Sequence, residues 1–340
     1  MTQKRVLVLG GTEFVGHAFV EAALDRGYDV TVLNRGSRPP RPDVTTLVGD
    51  RTTPHGLDAL RSASLGSVSL GSAEWDIVVD AWSWGPKAVT DAATLLSARA
   101  GKYVYVSSRS VHTYPAAAYA REDAPVVEAS VDDTDFSDYA RAKRGGELGA
   151  LAAFGDRALL LRAGLILGPR ENIGRLPWWL TRIARGGTVV APGPADATLQ
   201  YVDARDLAAF GLDTAATGPV SVVSPPDTTT MRELLEACVT ATGSDAQLRW
   251  FAPNEIEAAG IESWIQLPIW IAPGPDFDGM HRADVTLAMS AGLKIRPLAE
   301  TVDDTWTWLQ SIGGVAPQRA DRPPVGLPVE KERALLNAAR

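Results

Sequence analysis

Tyr139 and Lys143 stand four residues apart in the segment YARAKRGGE, so on a helix they share one face, one turn apart. A phenol is a weak acid at neutral pH, and an ammonium one turn away favours its phenolate form, which makes the two a proton-transfer pair. Upstream, Ser108 closes the segment KYVYVSS and offers a hydroxyl to a carbonyl or alcohol oxygen, with Ser107 and Ser110 as alternatives. A tyrosine and a lysine at this spacing are common by chance. A strand that ends in a serine before them makes the set specific, and the chemistry it suits is proton movement at an oxygen whose carbon exchanges a hydride.

Such a site needs a scaffold. RVLVL (5–9) reads as a buried parallel strand, and FVGHAFVEAALDR (14–26) has helical apolar spacing. Between them, Gly10, Gly11 and Gly16 form a phosphate-binding turn in which Thr12, Phe14 and Val15 also face a ligand, at a helix N-terminus suited to a pyrophosphate. Glu13 occupies the middle glycine of the usual pattern and must turn away from phosphate. Further strands are read at 29–34, 75–82, 102–108 and 158–167, another ending at LVG before Asp50, and helices at 86–99 and 139–154. The fold class is α/β, a Rossmann-type doubly wound parallel sheet with a smaller C-terminal substrate-binding lobe. Asn34, Arg35 and Arg38 follow the second strand, where an acid would bind a ribose 2′-hydroxyl and arginines accept a 2′-phosphate, so NADP(H) is expected over NAD(H). Asp50 and Arg51 end the third strand beside an adenine, and Ala81 and Trp82 end the fourth.

The pieces GGTEFVG, VLNRG, GDR, YVYVSSRSVH, YARAKRGGE, LRAGLILGP and QYVDARDLA together make the chain resemble the extended, atypical short-chain dehydrogenase/reductases of the NAD-dependent epimerase/dehydratase type. The resemblance runs from about residue 5 to 210, and GLKIRPLAETVDDTWTWL (292–309) is similar to that family's C-terminal segment. It implies that Tyr139 is the general acid/base, that Lys143 binds the nicotinamide ribose and assists it, and that Ser108 orients the substrate oxygen. It also places Ala163, Leu165 and Ile166 near the nicotinamide. Leu199 stands where nucleotide-sugar epimerases carry a diphosphate-binding Arg, which argues for a compact, partly apolar substrate. Arg170, Arg175, Arg182 and Arg282 are the arginines able to replace it. Trp84, Ser110, His112, Trp178, Trp179 and Gln200 are the further substrate-binding candidates, with Trp264 and Trp270 beside them.

Domain bounds are set at 1–168 plus about 200–222 for the dinucleotide domain, 169–199 and 223–313 for the lobe, and 314–340 for an extended Pro-rich tail ending in a short helix. Segment 62–75 reads as a surface loop, and QYVDARDLAAFGLDTA (200–215) as a return to the main sheet. A formal charge of −8 is the wrong sign for tracking nucleic acid, no apolar run spans a bilayer, and the single Cys238 fits a reducing cytoplasm. The four histidines lack metal-ligand spacing, so no metal is expected. The partner expected is a small-molecule substrate, with a homodimer allowed. The leading function is a reductase or dehydrogenase. The alternatives are an epimerase or dehydratase that retains its cofactor, and a cofactor-binding or RNA-associated protein without turnover.

Overall fold

The computed structural model describes residues 3–338 apart from 63, 66, 67, 70–74, 134–136, 276, 278 and 320–322. The low-charge segment 62–75 lies mostly outside these; its described part holds the short paired strands Ser64–Leu65 and Val68–Ser69.

Apolar runs with turn residues between them build seven parallel strands: β1 (Arg5–Leu9), β2 (Asp29–Asn34), β3 (Thr45–Val48), β4 (Trp75–Asp80), β5 (Ala100–Ser108), β6 (Ala158–Ala163) and, after three strands outside this sheet, β10 (Gly218–Val222). Their order is β10-β6-β5-β4-β1-β2-β3, the doubly wound arrangement that opens a crevice at the C-terminal strand ends. One face is covered by α1 (Phe14–Asp25) and the other by α2 (Lys87–Leu96) and α3 (Tyr139–Phe154), each face with its own apolar core. Helix α3 begins where Asp138 accepts a hydrogen bond from the Arg141 amide, an N-cap that sets Tyr139 as the first helical residue.

The expected strand 158–167 is two strands. Gly164 breaks it, because a Cβ there would lie 2.6 Å from the Val223 side chain, and β7 (Leu165–Leu167) leaves the sheet. It pairs instead with β9 (Tyr201–Asp203), so 200–215 does not return to the main sheet as a strand. Only its helix, α5 (Ala204–Asp213), comes back, to pack on α1.

A third core forms the second lobe. It gathers α4 (Arg175–Ala184), α6 (Met231–Thr242), α7 (Leu298–Ser311) and the strand pair β8 (Thr188–Pro192) and β11 (Gln247–Phe251). The tail belongs to it. Helix α8 (Val329–Ala338) buries Leu335, and Glu332 accepts hydrogen bonds from Arg182 at 2.7–2.9 Å, so the extended tail expected from its prolines is anchored at its end.

The ends of β3 and β4 are locked by a buried ion pair. Asp80 accepts two 2.7 Å bonds from Arg51, one of 2.6 Å from the Tyr103 hydroxyl and one of 2.9 Å from the Trp82 amide. Removing one partner of such a pair leaves an uncompensated buried charge. Asp80→Ala should therefore cost about 3–5 kcal/mol of stability, read as a lowered urea midpoint. An unchanged midpoint would show that Arg51 finds another partner.

Candidate active site

Ser108 ends β5, and its Oγ caps the turn Arg109–Val111 by accepting a 3.1 Å bond from the Ser110 amide. The hydroxyl of Ser107 is already used, donating to the buried Glu147 at 2.7 Å, whereas Ser108 and Ser110 pair with each other at 3.2 Å on the cleft wall, so these two hydroxyls are the candidates for a substrate oxygen. Glu147 is buried, yet the Arg162 guanidinium, with Ser107 and Arg144, holds its carboxyl below the usual range against the opposing effect of burial. This cluster fastens the middle of α3 to β5 and β6.

One turn before Glu147, the Lys143 ammonium donates to the carbonyls of Trp82 at 2.6 Å and Val106 at 2.7 Å. It lies 6.0 Å from the centre of the Tyr139 ring, which is half-exposed at the helix start. Ser108, Tyr139 and Lys143 line one cleft of about 1850 Å³ at the C-terminal ends of the strands.

The same cleft includes the glycine turn. A Cβ at Gly16 would fall 2.6 Å from the Gly11 amide nitrogen, and Gly11 has φ +87°, so the turn is shaped for backbone to approach a ligand closely. No acidic side chain stands in the first turn of α1. Glu13 also lines the cleft, and its two oxygens accept bonds from Arg38 at 2.9 Å and Asn172 at 2.8 Å, so its charge is met by these side chains. The turn fits a pyrophosphate, and Thr12, Phe14 and Val15 line it together with Gly10. Asn34 turns its side-chain oxygen to the Gly36 amide, and Asp50 accepts from Thr52. Arg51 lines the cleft as well, with its guanidinium committed to Asp80. Arg35, Ala81, Trp82, Ala163, Leu165 and Ile166 line the cleft.

Four substrate candidates are moved. Trp179 is wholly buried and donates to the Pro268 carbonyl, and Trp178 packs edge-on against it, because the apolar face of α4 closes the lobe core. Trp270 is buried as well, donating to the Gly193 carbonyl. His112 is buried under the turn, bridged to Val126. Gln200 touches the cleft, but its amide is spent on the backbone of Ser224 and Ala283. Trp84, Ser110 and Trp264 do line the cleft, with Arg319 stacked over Trp84 and Arg175 over Trp264. Of the arginines able to replace the one absent at Leu199, Arg182 and Arg282 are held by Glu332 and Asp227, and only Arg175 reaches the cleft. Sequence reasoning missed Arg109, Tyr114, His281, Met280 and the tail segment 317–319 as lining residues. Arg109 had a signal, its place directly after Ser108; the tail had none.

A family model described as "NAD dependent epimerase/dehydratase family" matches residues 6–223, more than half of the chain. The chain belongs to that family. Solved structures agree in fold. The enzyme WbmH of Bordetella bronchiseptica in complex with NAD+ is 19% identical with a TM-score of 0.66, over 92% of this chain and 100% of that one. UDP-glucuronic acid 4-epimerase from Bacillus cereus in complex with NAD is 13% identical with a TM-score of 0.62, over 91% and 99%. The NAD-dependent NDP-hexosamine 5,6-dehydratase TunA is 17% identical with a TM-score of 0.62, over 91% and 98%. A sequence comparison with curated proteins finds no match. Among the described residues, no helix is long and apolar enough to cross a membrane.

In this epimerase/dehydratase-family chain two histidines, His112 buried under the turn and His281 half-buried on the cleft wall, are kept neutral by the fold. Burial, with nearby arginines, pulls His112 and His281 down to about 4. The unfolded chain binds protons at both near pH 6.5, so the stability they contribute is present above that pH and is lost as pH falls toward about 4. His112→Gln should flatten part of that decline in urea midpoints measured from neutral to acid pH. A variant with the wild-type pH slope would show that His112 does not contribute.

Proposed function

We propose that the chain is an epimerase or dehydratase that oxidises a hydroxyl-bearing carbon of a small molecule transiently and retains its cofactor. The observation that carries the reading is the gathering of Ser108, Tyr139 and Lys143 in one cleft with the glycine turn. A bound nicotinamide dinucleotide supplies reversible hydride acceptance. Ser108 Oγ holds the substrate oxygen, Tyr139 Oη removes its proton and later returns it, and Lys143, fixed by two carbonyls, supplies the positive charge that steadies the phenolate. Retention is supported by Glu13, which ties the glycine turn to the loop after β2 and to Asn172, three parts of the cofactor end of the cleft. A net reductase, the leading expectation from sequence, would use the same three side chains, and the family match favours the alternative.

The substrate proposed is compact and partly apolar, seated by Trp84 and Trp264, because Leu199 is buried and offers a diphosphate no charge. A cytoplasmic location goes with this reading. So does a preference for the phosphorylated dinucleotide, which now rests on Arg35, since Glu13 neutralises Arg38.

Tyr139→Phe should leave folding and dinucleotide binding intact while cutting turnover by about 10² or more, since only the transferable proton is removed. Near-normal kcat would take Tyr139 out of the mechanism. Arg35→Ala should weaken NADPH binding about tenfold through loss of a charge-assisted contact, with NADH little changed. Equal losses for both, measured by fluorescence titration, would show that Arg35 does not read the 2′-phosphate.

A further inference from the structure

Among the described residues, three arginine side chains are almost entirely buried, and two of them have carboxylates. Arg51 is held by Asp80 and Arg162 by Glu147. The third, Arg109, is 5% exposed and has no carboxylate within ion-pair distance among the described residues. Its partners are neutral: the Gly279 carbonyl at 3.2 Å and the Tyr114 hydroxyl. Glu122 acts on it only from farther away. A guanidinium withdrawn from water without a counter-charge is costly, and folds otherwise avoid it or pair it. Arg109 sits on the wall of the active-site cleft, directly after Ser108, with its stem over Gly164, where a Cβ would lie 3.5 Å from Arg109 Cδ. Gly279 and Tyr114 thus orient the guanidinium without neutralising it.

We propose that Arg109 receives an oxyanion of the substrate, carboxylate or phosphoryl, seated beside Ser108. This rests on the reading above only in making the Ser108 end of the cleft the substrate end. The planar fork of Arg suits two oxygens of one anionic group, and the missing counter-charge is then supplied by the ligand. The anion also fixes which substrate carbon faces Tyr139, so Arg109 acts as a specificity-determining residue. The cofactor's own phosphates have their place at the glycine turn at the other end of the cleft.

The test is calorimetry on the full chain saturated with dinucleotide, titrated with D-glucuronate, D-glucose 6-phosphate, UDP and, as the neutral control, D-glucose. At least one anionic probe is expected to bind about tenfold or more tighter than D-glucose. A preferred D-glucuronate or D-glucose 6-phosphate identifies the anion as a carboxylate or a monophosphate, whereas a preference for UDP that depends on Arg109 would keep the role of Arg109 and overturn the compact substrate proposed above. R109M should abolish the preference and R109K should keep part of it. The proposal is overturned if wild-type protein shows no preference for any anion, including binding of none of the probes, or if the preference survives in R109M. Should R109M not fold, R109K decides: binding of the anion undiminished there counts against the proposal. Dinucleotide binding is measured separately. Its failure alone sinks the epimerase/dehydratase reading, whereas loss of the oxyanion preference alone sinks the role of Arg109, which D-glucuronate and D-glucose 6-phosphate also report in dinucleotide-free protein.

Discussion

The close seating of helix α3 against β5 and α2 is the constraint on which the site depends. Its sequence carries Gly145, Gly146 and Gly149, residues that each cost a helix interior roughly 1 kcal/mol relative to Ala. Tertiary packing explains them. A Cβ at Gly145 would fall 2.5 Å from the Ser130 carbonyl oxygen, and one at Gly146 would fall 2.5 Å from the Tyr105 hydroxyl. At Gly149 a Cβ would overlap the Thr90 hydroxyl. Any side chain at these positions would lift the helix from the sheet and take Tyr139 away from Ser108.

Once the helix is seated, polar contacts fix its register. Lys143 reaches carbonyls at the ends of two neighbouring strands, and Glu147 is gripped by Arg162 of β6 and Ser107 of β5. A rotation of the helix would break both, leaving a buried ammonium and a buried carboxylate unpaired, each a strongly disfavoured state. The geometry of the candidate site is therefore held by burial of charge as much as by apolar packing. The second lobe completes the cleft from above, with Trp264, Met280 and the tail segment 317–319 facing the strand ends.

Much of this was legible in the residue order. The bounds of α3, the glycine turn and six of the seven sheet strands follow from apolar periodicity, capping residues and turn glycines, which are local signals. What was illegible is non-local. Gly164 breaks a continuous apolar run because Val223, far along the chain, occupies the space a side chain would need. Gly218–Val222, the seventh strand, carries Pro219 and runs into Pro225 and Pro226, so its neighbourhood reads as turn rather than strand. Trp179 and Trp84 look alike in sequence, and only the packing of α4 into the lobe core decides that one is buried and the other lines the cleft. Arg51 and Arg109 differ only in whether a distant carboxylate arrives. The tail helix returns to the lobe through burial of Leu335 and a long-range ion pair, Arg182 with Glu332, that no pattern near either residue foretells.

On the proposed function, this cleft holds a nicotinamide dinucleotide and keeps it. The most direct measurement is the dinucleotide content of the protein as purified, released by acid and counted against chain concentration. About one dinucleotide per chain is expected at the Rossmann crevice, restored after stripping by incubation with NAD or NADP. Protein that carries none and takes up neither at saturating concentration would contradict it.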